Sequence, residues 1–269
     1  MKKHNTALTI AGSDSGGGAG IQADLKTFSA CGCYGMSVIT AITAQNTQGV
    51  SDIFPVESSN IEKQIDAVIT DIGADAVKVG MLHSAGVISL VARKVKQYEI
   101  KNLVVDPVMV ATSGDKLLQD EAIEALKSEL LPLATIITPN IPEASILLGK
   151  KITSQSEMPE AARELSFNQS VSVLLKAGHL SDENLIDVLY DAEKDEIVKL
   201  PSQRIKTLNT HGTGCTLSSA IAAFLARGET LQTAVANAKD FIDQAIKAGK
   251  DYQTGKGHGP VHHFFRWWK

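Results

Sequence analysis

Short apolar runs along the chain alternate with longer stretches of helical spacing. Residues 7–11 read as a buried strand, and 21–29 as a helix opening after a glycine-rich turn. Residues 37–44, rich in Val, Ile and Thr, read as a strand. Ile61, Ile65, Val68, Ile69 and Ile72 recur at helical intervals. Residues 76–79 predict a short strand, and 85–98 a helix with a basic outer face. Residues 103–105 predict a strand ending at Asp106-Pro107, and 121–131 a helix stopped by Pro132. Strands at 135–137 and 171–175 end at Thr138-Pro139 and Lys176. The rhythm then changes. Residues 185–190 and 196–200, split by Asp191-Ala192-Glu193-Lys194-Asp195, read as an antiparallel hairpin at a sheet edge. Helices follow at 216–226 and 231–248.

Strand, helix, strand with short connections calls for a mainly parallel central sheet covered by helices on both faces, a three-layer α/β/α arrangement with an antiparallel edge hairpin. No linker, repeat or composition break appears, so residues 1–269 read as a single domain. Polar and glycine-containing motifs cluster where strands end: residues 12–20, Gln45-Asn46, Met81, 106–109, 140–143 and 176–179. In an open parallel sheet these ends share one edge, and ligands bind in the crevice there.

Composition changes little. The 269 residues are 43% hydrophobic and 21% charged with net charge −4, which gives no electrostatic surface for nucleic acid or anionic lipid. The run at 7–11 is too short for a signal core, and no stretch is long enough to span a bilayer. Three cysteines, Cys31, Cys33 and Cys215, argue against a disulfide framework and for a reducing, cytoplasmic setting. Cys31 and Cys33 read as small buried or half-buried thiols.

Four segments carry candidate chemistry. The first, Gly12-Ser13-Asp14-Ser15-Gly16-Gly17-Gly18-Ala19-Gly20, holds five glycines in nine residues between a strand and a helix. Such a loop exposes backbone N–H groups to a ligand, although it lacks the P-loop ending and the dinucleotide spacing; a flexible capped turn is the plainer reading. Asp24, just beyond, is either a helix-dipole charge or an acceptor for a ring amino group. The second, Asn209-Thr210-His211-Gly212-Thr213-Gly214-Cys215-Thr216, leads into a small-residue helix. It reads as an anion site of backbone donors, able to hold a transferring phosphoryl group. Cys215 at that helix start is expected to have a lowered thiol pKa and to act as a base; a glycine turn with a filler cysteine is the alternative. The third, Asn140-Ile141-Pro142-Glu143, matches a capping box and can also hold water on Mg²⁺. The fourth is Lys176-Ala177-Gly178-His179, whose lysine either reaches a phosphate or leaves for solvent. Asp106 sits at another strand end, supporting a metal or phosphate region or only a turn. The histidines at 258, 262 and 263 read as packing and surface groups rather than a metal site.

Together these motifs resemble the hydroxymethylpyrimidine/phosphomethylpyrimidine kinases of thiamine biosynthesis, within the ribokinase-like superfamily. The likeness runs from about residue 6 onward. It is carried by residues 9–28, Ala44-Gln45-Asn46-Thr47, Lys78-Val79-Gly80-Met81-Leu82, Asp106-Pro107-Val108-Met109, Ser113-Gly114-Asp115, Thr138-Pro139-Asn140 with Glu143-Ala144, residues 209–216, and Gly259-Pro260-Val261-His262-His263. The resemblance implies ATP-dependent phosphorylation of 4-amino-5-hydroxymethyl-2-methylpyrimidine to its monophosphate and then to its diphosphate. It implies Gln45 and Asp24 as pyrimidine ligands, with Gly12, Ala19, Met81 and Val108 around the ring. Cys215 becomes the base, with Gly212, Thr213 and Gly214 as the anion hole. Lys176, Asp106, Asn140 and Thr210 fall on the ATP side, and Glu143 with Asn140 assists Mg²⁺ through water. A homodimer is implied too. A pyridoxal kinase of vitamin B6 salvage and a non-catalytic pyrimidine-binding protein are the alternatives. One departure is Ala177, where many relatives have glycine.

Overall fold

The computed structural model describes residues 2–109, 118–180 and 182–268. The Ser113-Gly114-Asp115 motif lies outside the described residues. The elements in chain order are β1 (Thr6–Ala11), α1 (Gly20–Ala30), β2 (Tyr34–Ile39), β3 (Ala41–Asn46), β4 (Gly49–Pro55), α2 (Ser58–Asp71), β5 (Ala76–Val79), α3 (Ala85–Gln97) and β6 (Leu103–Val105). Then come α4 (Asp120–Ala125), β7 (Ile136–Ile137), α5 (Ile141–Leu148), α6 (Met158–Glu164), β8 (Ser172–Leu175), β9 (Asn184–Asp191), β10 (Glu196–Gln203), α7 (Thr213–Ala226) and α8 (Leu231–Gly249).

Eight strands form one sheet in the order β10-β9-β8-β7-β6-β5-β1-β2. All pairs from β2 through β8 are parallel, and β9 alone runs the other way, pairing antiparallel with β8 and β10. The edge hairpin expected from the sequence is therefore present. Alternate residues of each strand feed two cores. Leu8, Val77, Val105 and Ile137 face one side with Ile88 of α3 and Ala144 of α5. Ala7, Val104, Ile136 and Leu174 face the other with Phe28 of α1, Ile221 of α7 and Phe241 of α8. Helices cover both faces, which is why the short central strands read as unbroken apolar runs.

Several local expectations are corrected. The run 37–44 is two strands, not one. At Thr40 the chain leaves the main sheet, because Thr40 N–H bonds to the Ala11 carbonyl and its hydroxyl donates to the Met81 carbonyl at 3.0 Å. Beyond that point β3 pairs with β4 in a separate two-stranded sheet. β4 was not expected; it is exposed along its length and so lacks an inward-facing pattern. The helix at 121–131 loosens into a π turn over Leu126–Leu130 and a 3₁₀ turn over Leu131–Leu133, so Pro132 sits inside the final turn instead of stopping the helix. The basic outer face of α3 is incomplete, since Lys94 is buried and pairs with Asp66 and Glu62 of α2 at 2.7 and 2.9 Å. Among the described residues no helix is long and apolar enough to cross a membrane.

Candidate functional site

The carboxyl ends of β1, β5, β6, β7 and β8 carry the glycine-rich loop, Met81, Asp106, Asn140 and Lys176, as the strand order requires. The glycine-rich loop differs from expectation in one respect. Asp14 is buried, and its carboxylate accepts N–H groups from Gly16, Gly18 and Ala19 at 2.8, 3.0 and 2.8 Å. Donors expected to face a ligand thus serve the chain's own anion. His211 Nε2 lies 2.8 Å from Asp14 Oδ2. Burial alone would raise the Asp14 carboxyl, but the bonds from His211, Ala19 and Gly16 outweigh it and hold it below the usual carboxylate range. Gly12 packs on Met81, whose Cε would lie 2.8 Å from a Cβ at residue 12. Ser15 exchanges two bonds with the backbone of Gln45, Oγ–H to the carbonyl at 2.7 Å and Oγ from the N–H at 2.8 Å, while Gln45 Oε1 accepts from Thr43. The loop, Gln45 and Met81 therefore form one wall.

The second wall, the start of α7, adjoins this one, since a Cβ at Gly212 would lie 1.8 Å from the Gly18 carbonyl oxygen. Gly212 is its N-cap with φ 80°, a left-handed conformation that favours glycine. The first N–H groups of any helix lack intrahelical acceptors, so Gly214 and Cys215 present donors at the positive end of the helix dipole. A Cβ at Gly214 would sit 3.4 Å from Asp106 Oδ2 and 3.6 Å from Lys176 Nζ, which puts these three residues together. Lys176 Nζ is 3.1 Å from Asp106 Oδ1. Asp106 also accepts from the Thr138 and Ser218 hydroxyls at 3.0 and 3.3 Å. Burial pushes it up, but Lys176, Lys78 and Thr138 outweigh that and hold it low. Val108 is half-buried beside it, its N–H on the Asp106 carbonyl. Thr210 is exposed at the rim, and its carbonyl accepts from the Thr213 hydroxyl.

Asn140 and Glu143 form the full capping box of α5, each side chain accepting the other's N–H at 2.9 and 2.8 Å. Burial pushes the Glu143 carboxyl up to about 7, with Asp106 adding to the rise and Lys176 opposing it. A buried carboxyl with incomplete compensation beside a second one fits a divalent cation nearby. Among the described residues no group of three or more His, Cys, Asp or Glu could cage a metal by itself. That donor set suits a hydrated ion held mainly by water and phosphate oxygens.

Two expectations about Asp24 and Cys215 are overturned. Asp24 lies past the first turn of α1 and is fully buried. Its oxygens take Lys78 Nζ at 2.9 and 3.0 Å, the Ser219 hydroxyl at 2.6 Å and the Thr9 hydroxyl at 2.6 Å, which leaves no open side for a ring. Burial pushes the Cys215 thiol up to about 11, Asp24 and Asp106 adding to this and Lys78 and the Gly20 N–H opposing it. The helix terminus does not produce the expected fall, because desolvation exceeds it. Ala177 has a negative φ and donates its N–H to Asp187 at 2.7 Å, so the glycine of many relatives is not required here.

Asp14, His211 and Lys78 were missed by sequence reasoning. The signal for Lys78 was present: a lysine inside the apolar run Ala76-Val77-Lys78-Val79 needs a buried partner. Asp14 bonding the N–H two residues on is the ordinary Asx-turn habit. Residues 255–260 form a strap. Gly257 and His258 N–H groups bond to Thr47 Oγ1 and its carbonyl at 3.1 and 2.8 Å, and the Gly259 carbonyl accepts from His211 N–H at 3.0 Å. His263 is buried against the Thr216 hydroxyl at 3.0 Å, and burial lowers it to about 3; His262 meets Tyr252 edge-on and Trp268 at a tilt. Cys31 and Cys33 are both buried.

A family model described as phosphomethylpyrimidine kinase matches residues 14–262. A hydroxymethylpyrimidine/phosphomethylpyrimidine kinase of Rhizobium meliloti is 52% identical over 264 residues, 98% of each chain. A thiamine biosynthesis bifunctional protein of Geobacter sulfurreducens is 50% identical over 96% of this chain and 52% of its own length. The crystal structure of a Bacillus subtilis pyridoxal kinase in an ADP complex superposes with a TM-score of 0.89 at 41% identity, covering 98% of this chain and 100% of the other.

Proposed function

The chain belongs to the phosphomethylpyrimidine kinase family, and on that premise we propose that the crevice at the strand ends is where it phosphorylates hydroxymethylpyrimidine with ATP. The product is the monophosphate and then the diphosphate, in thiamine biosynthesis. The observation that carries the site reading is the meeting of the α7 N-terminus, Lys176 and Asp106 beside the wall that holds Gln45, Gly12 and Met81. One wall suits a ring and the other a phosphoryl group. The acceptor hydroxyl oxygen forms a bond to the γ-phosphorus as its O–H bond breaks, the proton passing to the thiolate form of Cys215. The bond from that phosphorus to the bridging oxygen breaks, and its electron pair leaves with ADP. The N–H groups of Gly214 and Cys215 face the charge on the equatorial oxygens. Lys176 pairs with the nucleotide phosphates, and Asp106 holds Lys176. Glu143 and Asn140 would hold Mg²⁺, which when bound would neutralise phosphate charge. Detecting the mono- and diphosphate by ³¹P spectroscopy, from hydroxymethylpyrimidine, ATP and Mg²⁺, tests this reading. No phosphorylated pyrimidine, or a higher kcat/KM for pyridoxal, would reject it.

The two steps ask different things of Cys215. A hydroxyl must lose a proton, whereas a phosphate monoester is already largely ionised. A thiol lifted to about 11 is a poorly matched base at neutral pH. Cys215→Ala should therefore slow the first step about tenfold, below the roughly 10²-fold of a well-matched base, and leave the second nearly unchanged. Separate kcat measurements on the alcohol and the monophosphate check this. Equal losses would reduce Cys215 to a packing residue.

The reading includes a cytoplasmic homodimer. Burial pushes Cys31 and Cys33 up to about 12 and 11, where thiols stay reduced and inert; a disulfide found in the purified chain would argue against that setting. The β3–β4 sheet carries Ile42 and Phe54 into solvent as a cross-strand pair on one face, an uncovered apolar spot suited to a second copy. Sedimentation velocity should give a dimer that Phe54→Asp dissociates. A monomeric parent chain would remove the dimer from the reading.

A further inference from the structure

Asp14 and His211 are 197 residues apart, yet they join the two walls of the crevice directly. Three of the bonds to the Asp14 carboxylate come from its own loop and fix that loop's shape. The fourth comes from His211, one residue before the N-cap of α7. Because Asp14 is held ionised, it accepts and His211 Nε2 donates. The surrounding contact leaves no slack. A Cβ at Gly18 would lie 2.3 Å from His211 Cδ2, and one at Gly212 would lie 1.8 Å from the Gly18 carbonyl oxygen. On its far side His211 is tied by its backbone to Gly259 of the strap.

We propose that His211 is a positioning residue for phosphoryl transfer, its bond to Asp14 locking the glycine-rich loop on the acceptor side to the anion loop on the phosphate side. The proposal rests on the kinase reading and adds a residue that need touch neither ring nor phosphate. Removing the Asp14–His211 bond leaves each loop its internal bonds and frees only their relative placement. Misplacement of about 1 Å between acceptor and phosphoryl group costs on the order of 10²-fold in rate.

The test compares His211→Ala with His211→Gln, whose amide can donate to Asp14. In His211→Ala, kcat for the alcohol should fall about 10²-fold, with KM for pyrimidine and ATP moving less than about threefold. His211→Gln should recover most of kcat. Hydrogen exchange by mass spectrometry should rise together in segments 12–20 and 209–216 of the alanine variant and return in the glutamine one. If the alanine variant does not fold, His211→Asn, polar but too short to reach Asp14, takes its place. The proposal fails if kcat stays within about threefold of the parent, if faster exchange is confined to 209–216, or if a folded His211→Gln does no better than alanine. A folded parent chain that transfers nothing to hydroxymethylpyrimidine would refute the kinase reading, and the exchange comparison would still decide whether the lock exists.

Discussion

Lys78→Met should cost about 3–5 kcal/mol of stability, because it strands a buried carboxylate. Both Lys78 and Asp24 are wholly inaccessible to solvent, and the pair closes at 2.9 Å. Burial alone would lower the ammonium's pKa, but Asp24 outweighs it and holds it above the ordinary lysine value, so Lys78 is a permanent cation. Ser219 of α7 and Thr9 of β1 complete the shell, and the cluster fastens α1 and α7 to the sheet. Urea unfolding monitored by circular dichroism measures the loss as a lower midpoint at unchanged slope. Adding Asp24→Asn to Lys78→Met should recover part of it by removing the stranded charge. A single variant as stable as the parent would mean that water or another cation reaches Asp24.

Gly212→Ala is expected to lower kcat by about 10²–10³-fold, the cost of losing one well-placed oxyanion donor. Its φ of 80° is poorly tolerated by an L side chain, and the new methyl would collide with the Gly18 carbonyl oxygen. The anion loop must then turn or retreat from the glycine-rich loop, and either motion misaims the N–H groups at the start of α7. Steady-state kinetics with saturating ATP reads this effect. Gly214→Ala provides a contrast, since its Cβ would meet only the ends of the Asp106 and Lys176 side chains at 3.4 and 3.6 Å. A Gly212→Ala enzyme with the parent's kcat would show that the anion loop has room to adjust.

Much of the fold was legible because the central strands are continuous apolar runs with polar punctuation at their carboxyl ends. Residues 76–79 and 103–105 coincide with β5 and β6. β4 was illegible for a physical reason: a strand exposed on both faces has no burial pattern to write into its sequence. The break at Thr40 was invisible because two long-range hydrogen bonds make it, not a glycine or proline. For the site, residue types at strand ends pointed to Lys176 and Asp106, and the glycine turn before a helix pointed to Gly214, but none of these could say how the charges are balanced. Asp24 looked like a ligand group until its three donors and their four bonds were counted, and Cys215 looked activated until the weight of desolvation was known. Spacing along a chain reports neighbours; it does not report solvent.

The strap at residues 255–260 bears on the order in which this crevice can come into being. Thr47 meets His258, and His211 meets both Asp14 and Gly259. Each closure spans most of the polypeptide or waits on its far end, so these contacts are among the entropically slowest to make. Read from the amino end, the acceptor wall exists as sequence by residue 81, yet no fragment ending before residue 259 contains its full frame. The acceptor wall is therefore written first and finished last.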